Sequence, residues 1–319
     1  MFDERTGAAS PLVINTKPVT RSEAFQNWQY RNRHTIEAWA ILGPALTYYT
    51  IFFALPVLAT IVLSFTHWSG MSGGPTWVGL DNFRRYLTGH IYQQTILNTL
   101  GFSLAILTLQ TLLAVLVALM LNRKFRGRAL FRAAWYVPNL TSPVIMALIV
   151  LIMISPVDGA INLLLKRAGQ QPVYFYLDVQ LMWIIIILYS VWRGVGSGII
   201  LYLSALQGIH PELYEAARVD GASPGQIFWR ITLPLLKPIT VFVLVTGIIG
   251  TAQMFEAVLF LSKGGPGNQT NVLMLQIYQE IFTNADMGMA SAGSVMLGLL
   301  LLTFSVIYLR SMNRGYTGA

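Results

Sequence analysis

Residues able to do chemistry are few in this chain, and they stand in two places. In the first, Arg193 and Glu256 carry charge within long apolar runs. Near them lie Tyr189, Trp192 and Gln253, with Trp183 and Phe255, types that stack on sugar faces or bond hydroxyls. A charge inside a membrane is a functional-site signal by default, because its insertion is costly enough to require a partner or a wet cavity. Two readings stay open. The simpler one pairs Arg193 with Glu256 as a structural device. In the other, Arg193 faces a polar cavity, where its guanidinium takes a carboxylate or phosphate through a planar two-pronged contact. On straight helices the two residues differ in depth by about 11 Å, at 1.5 Å per residue, which strains a direct pair. Tyr189 and Trp192 are deep enough for a cavity or a helix interface, whereas Trp183 equally suits the aromatic belt of a bilayer surface.

The second place is a polar hinge from His210 to Lys237, set between two apolar segments. Pro211 suits a first helical position, Glu212 lies beside the positive end of the dipole, and Gly221 suits the left-handed residue that ends a helix. Ser223 caps the next helix, with Pro224 at its first position and Gln226 where a capping box wants Glu or Gln. This predicts a short helix, a turn and a second helix. Leu213, Ala216 and Ala217 share one face of the first, and Glu215 can pair with Arg218.

Catalysis has no comparable signal. His34, His67, His90 and His210 are isolated and lie outside or at the ends of the apolar runs. Without cysteine there is neither a disulfide framework nor thiolate metal ligation. No Gly-Lys pair occurs, so the phosphate loop G-x-x-x-x-G-K-[ST] is missing, and the run Gly264, Gly265, Pro266 reads as a turn. No catalytic residue, metal or cofactor is expected on this chain.

Glu215, Ala216 and Ala217, then Gly221, then Ile231, Leu233 and Pro234 reproduce the pattern E-A-A, x3, G, x9, I-x-L-P. This resembles the cytoplasmic coupling loop of ABC importer permeases. The likeness runs from about Ile36 to Arg310 and is nearest to carbohydrate-uptake permeases of the maltose, glycerol phosphate and alginate type. It implies a non-catalytic permease subunit that passes an oligosaccharide, with a glycerol-phosphate-type solute as the alternative; an acidic oligosaccharide such as a uronide is what a cavity-facing Arg193 would favour. It further implies a second permease, a different chain, two ATPase subunits that hold the ATP and Mg, and an external solute-binding protein.

Composition agrees with a membrane protein, since 55% of the 319 residues are hydrophobic and 11% charged, against about 25% charged in soluble domains. The net charge of +8 lies in loops beside apolar spans, not on a basic face, so nucleic acid is not an expected partner. Six spans of about 20 apolar residues each centre on 39–65, 94–121, 131–155, 180–207, 236–261 and 289–310. The predicted fold is therefore an all-α integral membrane protein with six transmembrane helices and a helix-turn-helix loop. Residues 39–312 form the permease domain, including the loop at 208–237. Residues 1–38 and 313–319 are tails, the first a surface helix over 22–38 or plain irregular chain.

Arg123, Lys124, Arg126 and Arg128 crowd the second connection and Arg218, Arg230 and Lys237 the fourth, whereas acids such as Asp158, Glu280 and Asp286 balance the odd-numbered ones. By the positive-inside rule the hinge and both termini are cytoplasmic, which suits a bacterial inner membrane. No secretory signal peptide is visible. Pro138 and Pro143 predict a kink or break early in the third span. Gly194, Gly196, Gly198, Thr246, Gly247, Gly250 and Thr251 are small residues whose default role is close helix packing, with a moving pivot as the sharper reading. The competing class is an ion-coupled secondary transporter, which would show internal repeats or midplane acids; no repeat is visible.

Overall fold

The computed structural model describes Trp28 and residues 32–313, apart from Ser72 and Lys124. The tails before Trp28 and after Asn313, and most of the expected surface helix, lie outside the described residues. Residues 1–59 and 60–319 form two compact units. Helix α1 (Arg33–Tyr49) passes through a π turn (Thr50–Ala54) into α2 (Leu55–Leu63), which runs from the first unit into the second at Thr60. Ile41, Leu42, Phe52 and Leu58 are all exposed on this helical run, an apolar surface on every side that suits hydrocarbon.

The second unit continues with a two-residue hairpin, β1 (Thr66–His67) against β2 (Thr76–Trp77), then α3 (Asp81–Thr88) and α4 (His90–Asn122). Helices α5 (Arg128–Leu140), α6 (Pro143–Met153), α7 (Ala160–Arg167) and α8 (Val179–Gln207) follow. The hinge holds α9 (Pro211–Val219), α10 (Pro224–Ile227), a π turn (Phe228–Thr232) and α11 (Leu233–Leu235). Last come α12 (Lys237–Ala252), α13 (Glu256–Leu261), α14 (Leu273–Phe282) and α15 (Met287–Asn313).

Helices α4 and α8 form the spine. Ala114, Ala118 and Leu121 of α4 interlock with Val195, Ile199, Tyr202 and Leu206 of α8 in one buried cluster, each set recurring at three and four residues so that it falls on one helix face. Because lipid tails are as apolar as these side chains, the gain on association is close packing, to which small residues such as Ala114 and Ala118 give access.

Two of the six expected spans are not single helices. The third splits into α5 and α6, which meet at 98°. Pro143 excludes the α conformation from Ser142, and Thr141 and Ser142 are extended, with ψ of 148° and 130°. Pro138, by contrast, sits inside α5 without breaking it. The crossing of α5 over α8 is fixed at Gly196, where a Cβ would meet the Trp135 carbonyl oxygen.

The fifth span, expected unbroken over 236–261, stops at Ala252 and restarts at Glu256. Gly247 and Gly250 are weak helix formers. The Thr251 hydroxyl donates back to the Gly247 carbonyl at 2.9 Å, a local bond that competes with the helix. Phe255 then leaves helical geometry, with φ −143° and ψ −34°. The depth argument for Arg193 and Glu256, which assumed straight helices, falls with this break.

At the end of the bundle opposite the hinge, α14 is tied to α4 by buried polar groups. Asn98 donates to the carbonyls of Gln269 and Asn271 at 3.0 and 2.8 Å, and Leu273 N–H donates to the Thr99 hydroxyl at 2.8 Å. Glu280, expected among the loop charges that balance the odd-numbered connections, is instead only 2% exposed. Its carboxyl accepts from Tyr92 (2.9 Å), Gln276 (2.8 Å) and Asn284 (2.9 Å). Burial, and then the neighbouring Glu280, pushes the Tyr86 phenol up, so it is held as a neutral hydroxyl.

Candidate functional site: a three-helix cavity and an exposed hinge

Helices α4, α8 and α12 wall a cavity of about 400 Å³ near the middle of the bundle, closed at one side by Pro143 and by the α12–α13 break. Of the residues singled out in the sequence, Tyr189, Arg193, Gln253 and Glu256 all line it. Trp192 is not among the lining residues and is 42% exposed elsewhere. It follows Tyr189 by three residues but precedes Arg193 by one, and a step of one residue turns about 100° around a helix. The break in the fifth span is what delivers Gln253 and Glu256 to the cavity, because residues 253–255 leave the helix there.

Arg193 and Glu256 share the cavity without pairing: no nitrogen of Arg193 lies within 4.0 Å of the Glu256 carboxyl. The ion pair of the simpler of the two readings is therefore not formed. The Arg193 Nε is buried and has no hydrogen-bond partner among the described residues, and a buried donor left unsatisfied costs about 1–3 kcal/mol. Tyr189 is committed differently. Its hydroxyl donates to the Pro143 carbonyl at 2.7 Å, pinning the α5–α6 break against α8, so that hydroxyl is already taken. Trp183 stacks on Phe102 at 3.8 Å and donates to the Gln269 carbonyl, which makes it a packing residue.

Gln110 escaped the sequence reading. It lines this cavity and the smaller one of about 260 Å³ beside it towards the hinge, and it donates to the Ser190 carbonyl at 2.8 Å. A lone amide in an otherwise apolar run is a weak signal, but it was legible. Between the same two cavities Gly194, Ser197 and Gly247 are shared lining. A Cβ at Gly194, Gly198 or Gly247 would meet Gln110, Ala114 or Leu107, while Gly250 has open space. Close packing accounts for all but Gly250.

In the hinge, α9 ends as its sequence predicts. Gly221 has φ +78°, Ala222 N–H bonds the Ala217 carbonyl at 2.9 Å and Gly221 N–H bonds Arg218 at 3.0 Å, the paired bonds of a Schellman ending. Ser223 and Gln226 close a capping box. Glu215 and Arg218 form no ion pair within 4.0 Å, contrary to the sequence expectation. The helix carries no buried residue; Glu215 and Ala216 are exposed and Ala217 half-buried. Tyr214 touches Thr232 across the turn at 3.4 Å. Ile231 and Leu233 are half-buried, and Leu233 and Pro234 line a recess shared with Tyr308. The seven residues thus divide between an exposed helix and its footing on the bundle.

Residues 110–314 match the family described as binding-protein-dependent transport system inner membrane component. The chain is 31% identical over 301 residues to the arabinooligosaccharides transport system permease protein AraP of Halalkalibacterium halodurans, 93% of each chain. It is 32% identical over 272 residues to the trehalose/maltose transport system permease protein MalF of Thermococcus litoralis, 85% of this chain and 92% of that one. A solved bacterial ABC transporter involved in import of the acidic polysaccharide alginate superposes with a TM-score of 0.79 at 27% identity, over 92% of this chain and 99% of the other. The chain belongs to the binding-protein-dependent transport system inner membrane components, as a multi-pass permease of the sugar-importing ABC type.

Proposed function

We propose that this permease passes an oligosaccharide, with an acidic one favoured, through the α4–α8–α12 cavity. In this reading it works beside a second permease and receives solute from an external binding protein. ATP is hydrolysed by separate ATPase chains that dock on α9. The observation that carries the solute reading is the buried, unpartnered Arg193 Nε in a cavity of about 400 Å³. A carboxylate on the solute would supply the missing partner, and a charge-assisted hydrogen bond contributes about 1.5–3 kcal/mol, or roughly 10- to 100-fold in affinity. Glu256 in the same cavity offers an acceptor for sugar hydroxyls.

The test is ATPase stimulation by loaded binding protein, with acidic and neutral oligosaccharides, in wild type, Arg193→Lys and Arg193→Gln. The Gln variant is expected to lose roughly tenfold in the acidic response, about 1.4 kcal/mol, and little in the neutral one. Equal rates in all three assembled proteins would remove Arg193 as a solute ligand.

We place the hinge and both termini in the cytoplasm on the distribution of arginines. Single cysteines go cleanly into a chain with none. At position 126 a cysteine should resist an impermeant thiol reagent added to intact spheroplasts, while one at 269 reacts. The reverse pattern would invert the assignment.

A further inference from the structure

At the hinge end, α4, α8, α9 and the α10 turn border another pocket, an open one of about 370 Å³, with two kinds of lining. Arg123 from the end of α4 and Arg218 from α9 supply charge, beside the Tyr214 ring and hydroxyl, while Leu119, Leu206 and Phe228 supply apolar wall. Neither guanidinium has a carboxylate within 4.0 Å among the described residues. The carbonyl end of α4 opposes an anion, but it amounts to about half a negative charge against two full positive ones. On the same face of α4, at i, i+4, i+7 spacing that ends on Arg123, Leu116 and Met120 are 59% and 68% exposed. An apolar track thus leads down a membrane-spanning helix to a pair of arginines.

We propose that this pocket holds the phosphate of an anionic phospholipid, with Arg123 and Arg218 on the headgroup and Leu116 and Met120 along its acyl chains. The inference rests on the chain spanning a membrane, not on which solute it carries. Basic pockets between membrane helices bind such headgroups, and guanidinium matches phosphate oxygens with two parallel donors. Because Arg218 rides on α9 and Arg123 on α4, one headgroup bridges the exposed hinge helix to the spine. Lipid occupancy would then stiffen the element that the ATPases are proposed to grip.

Native mass spectrometry of the purified transporter, incubated with phosphatidylglycerol or phosphatidylcholine, reads the site directly. Wild type is expected to retain phosphatidylglycerol at least tenfold more than phosphatidylcholine. Arg123→Gln with Arg218→Gln should bring the two lipids level. Arg310→Gln, which removes the same kind of charge outside the pocket, should leave the preference intact. Should the double variant fail to assemble, Arg123→Gln alone, which leaves α9 untouched, is expected to lose most of the preference. Inorganic phosphate serves as the soluble arm: if it stabilises wild type through these arginines while phosphatidylglycerol shows no preference, the lipid is overturned as the source. Equal phosphatidylglycerol retention in wild type and the arginine variants, or an equal loss in Arg310→Gln, overturns the site.

Discussion

Gly221→Val is expected to abolish uptake and to reduce co-purification of the ATPase by at least about tenfold, without loss of the membrane-embedded bundle. The residue sits at φ +78°, where an L side chain costs about 1–2 kcal/mol and a β-branched one more. Space is not the obstacle, since a Cβ there meets nothing within 4 Å. Strain would instead be relieved by opening the turn, and with it go the Ala222–Ala217 and Gly221–Arg218 bonds that stop α9 and start α10. Among the described residues α9 has no fully buried side chain, and its side-chain hydrogen bond to the rest of the hinge runs through Tyr214. Gly221→Asn should keep most activity, Asn being tolerant of left-handed geometry. Wild-type ATPase yield and uptake from the Val variant would show that this turn does not set the docking helix.

Removal of the Glu280 carboxyl is expected to have the largest effect on stability. Glu280→Ala leaves the Tyr92 hydroxyl and the Gln276 and Asn284 amides without their acceptor. Each buried unsatisfied donor costs about 1–3 kcal/mol, but Asn284 is exposed and water recovers its share. A total near 3 kcal/mol is therefore expected, read as a lowered midpoint in denaturant unfolding of the protein in micelles. Glu280→Gln keeps one oxygen for Tyr92 and Gln276 and should lose about a third of that. An unchanged midpoint for the Ala variant would mean that the carboxyl network does not hold α14 against α4.

These two sites also mark what was legible in the sequence. Gly221, Ser223 and Gln226 were read correctly because caps are local chemistry, settled within a few residues. Glu280 was read as loop charge because its partner Tyr92 is 188 positions away, and no local pattern reports such a meeting. The span positions follow from hydropathy and the break in the third span from Pro143, as expected, whereas the size of that bend, 98°, is set by how α5 seats over Gly196. The break at 253–255 lacks a proline, and its Gly and Thr signals looked the same as packing signals. Arg132, near the start of the third span, was passed over, although its Nε is buried without a partner. Of the cavity lining, Tyr189, Arg193, Gln253 and Glu256 are legible as polar groups at the right depth, whereas Gln110 is missed, Trp192 is lost to helix phase, and Trp183 is taken up in packing on Phe102.

The central claim is that this chain supplies a path and a docking helix while another chain supplies the energy. Uptake into proteoliposomes tests it most directly, with this permease and its partner permease reconstituted with and without an ATPase subunit, and loaded binding protein outside. No uptake is expected without the ATPase and internal ATP, whatever proton or sodium gradient is imposed, and uptake is expected when both are present. Accumulation driven by an ion gradient alone would contradict the claim.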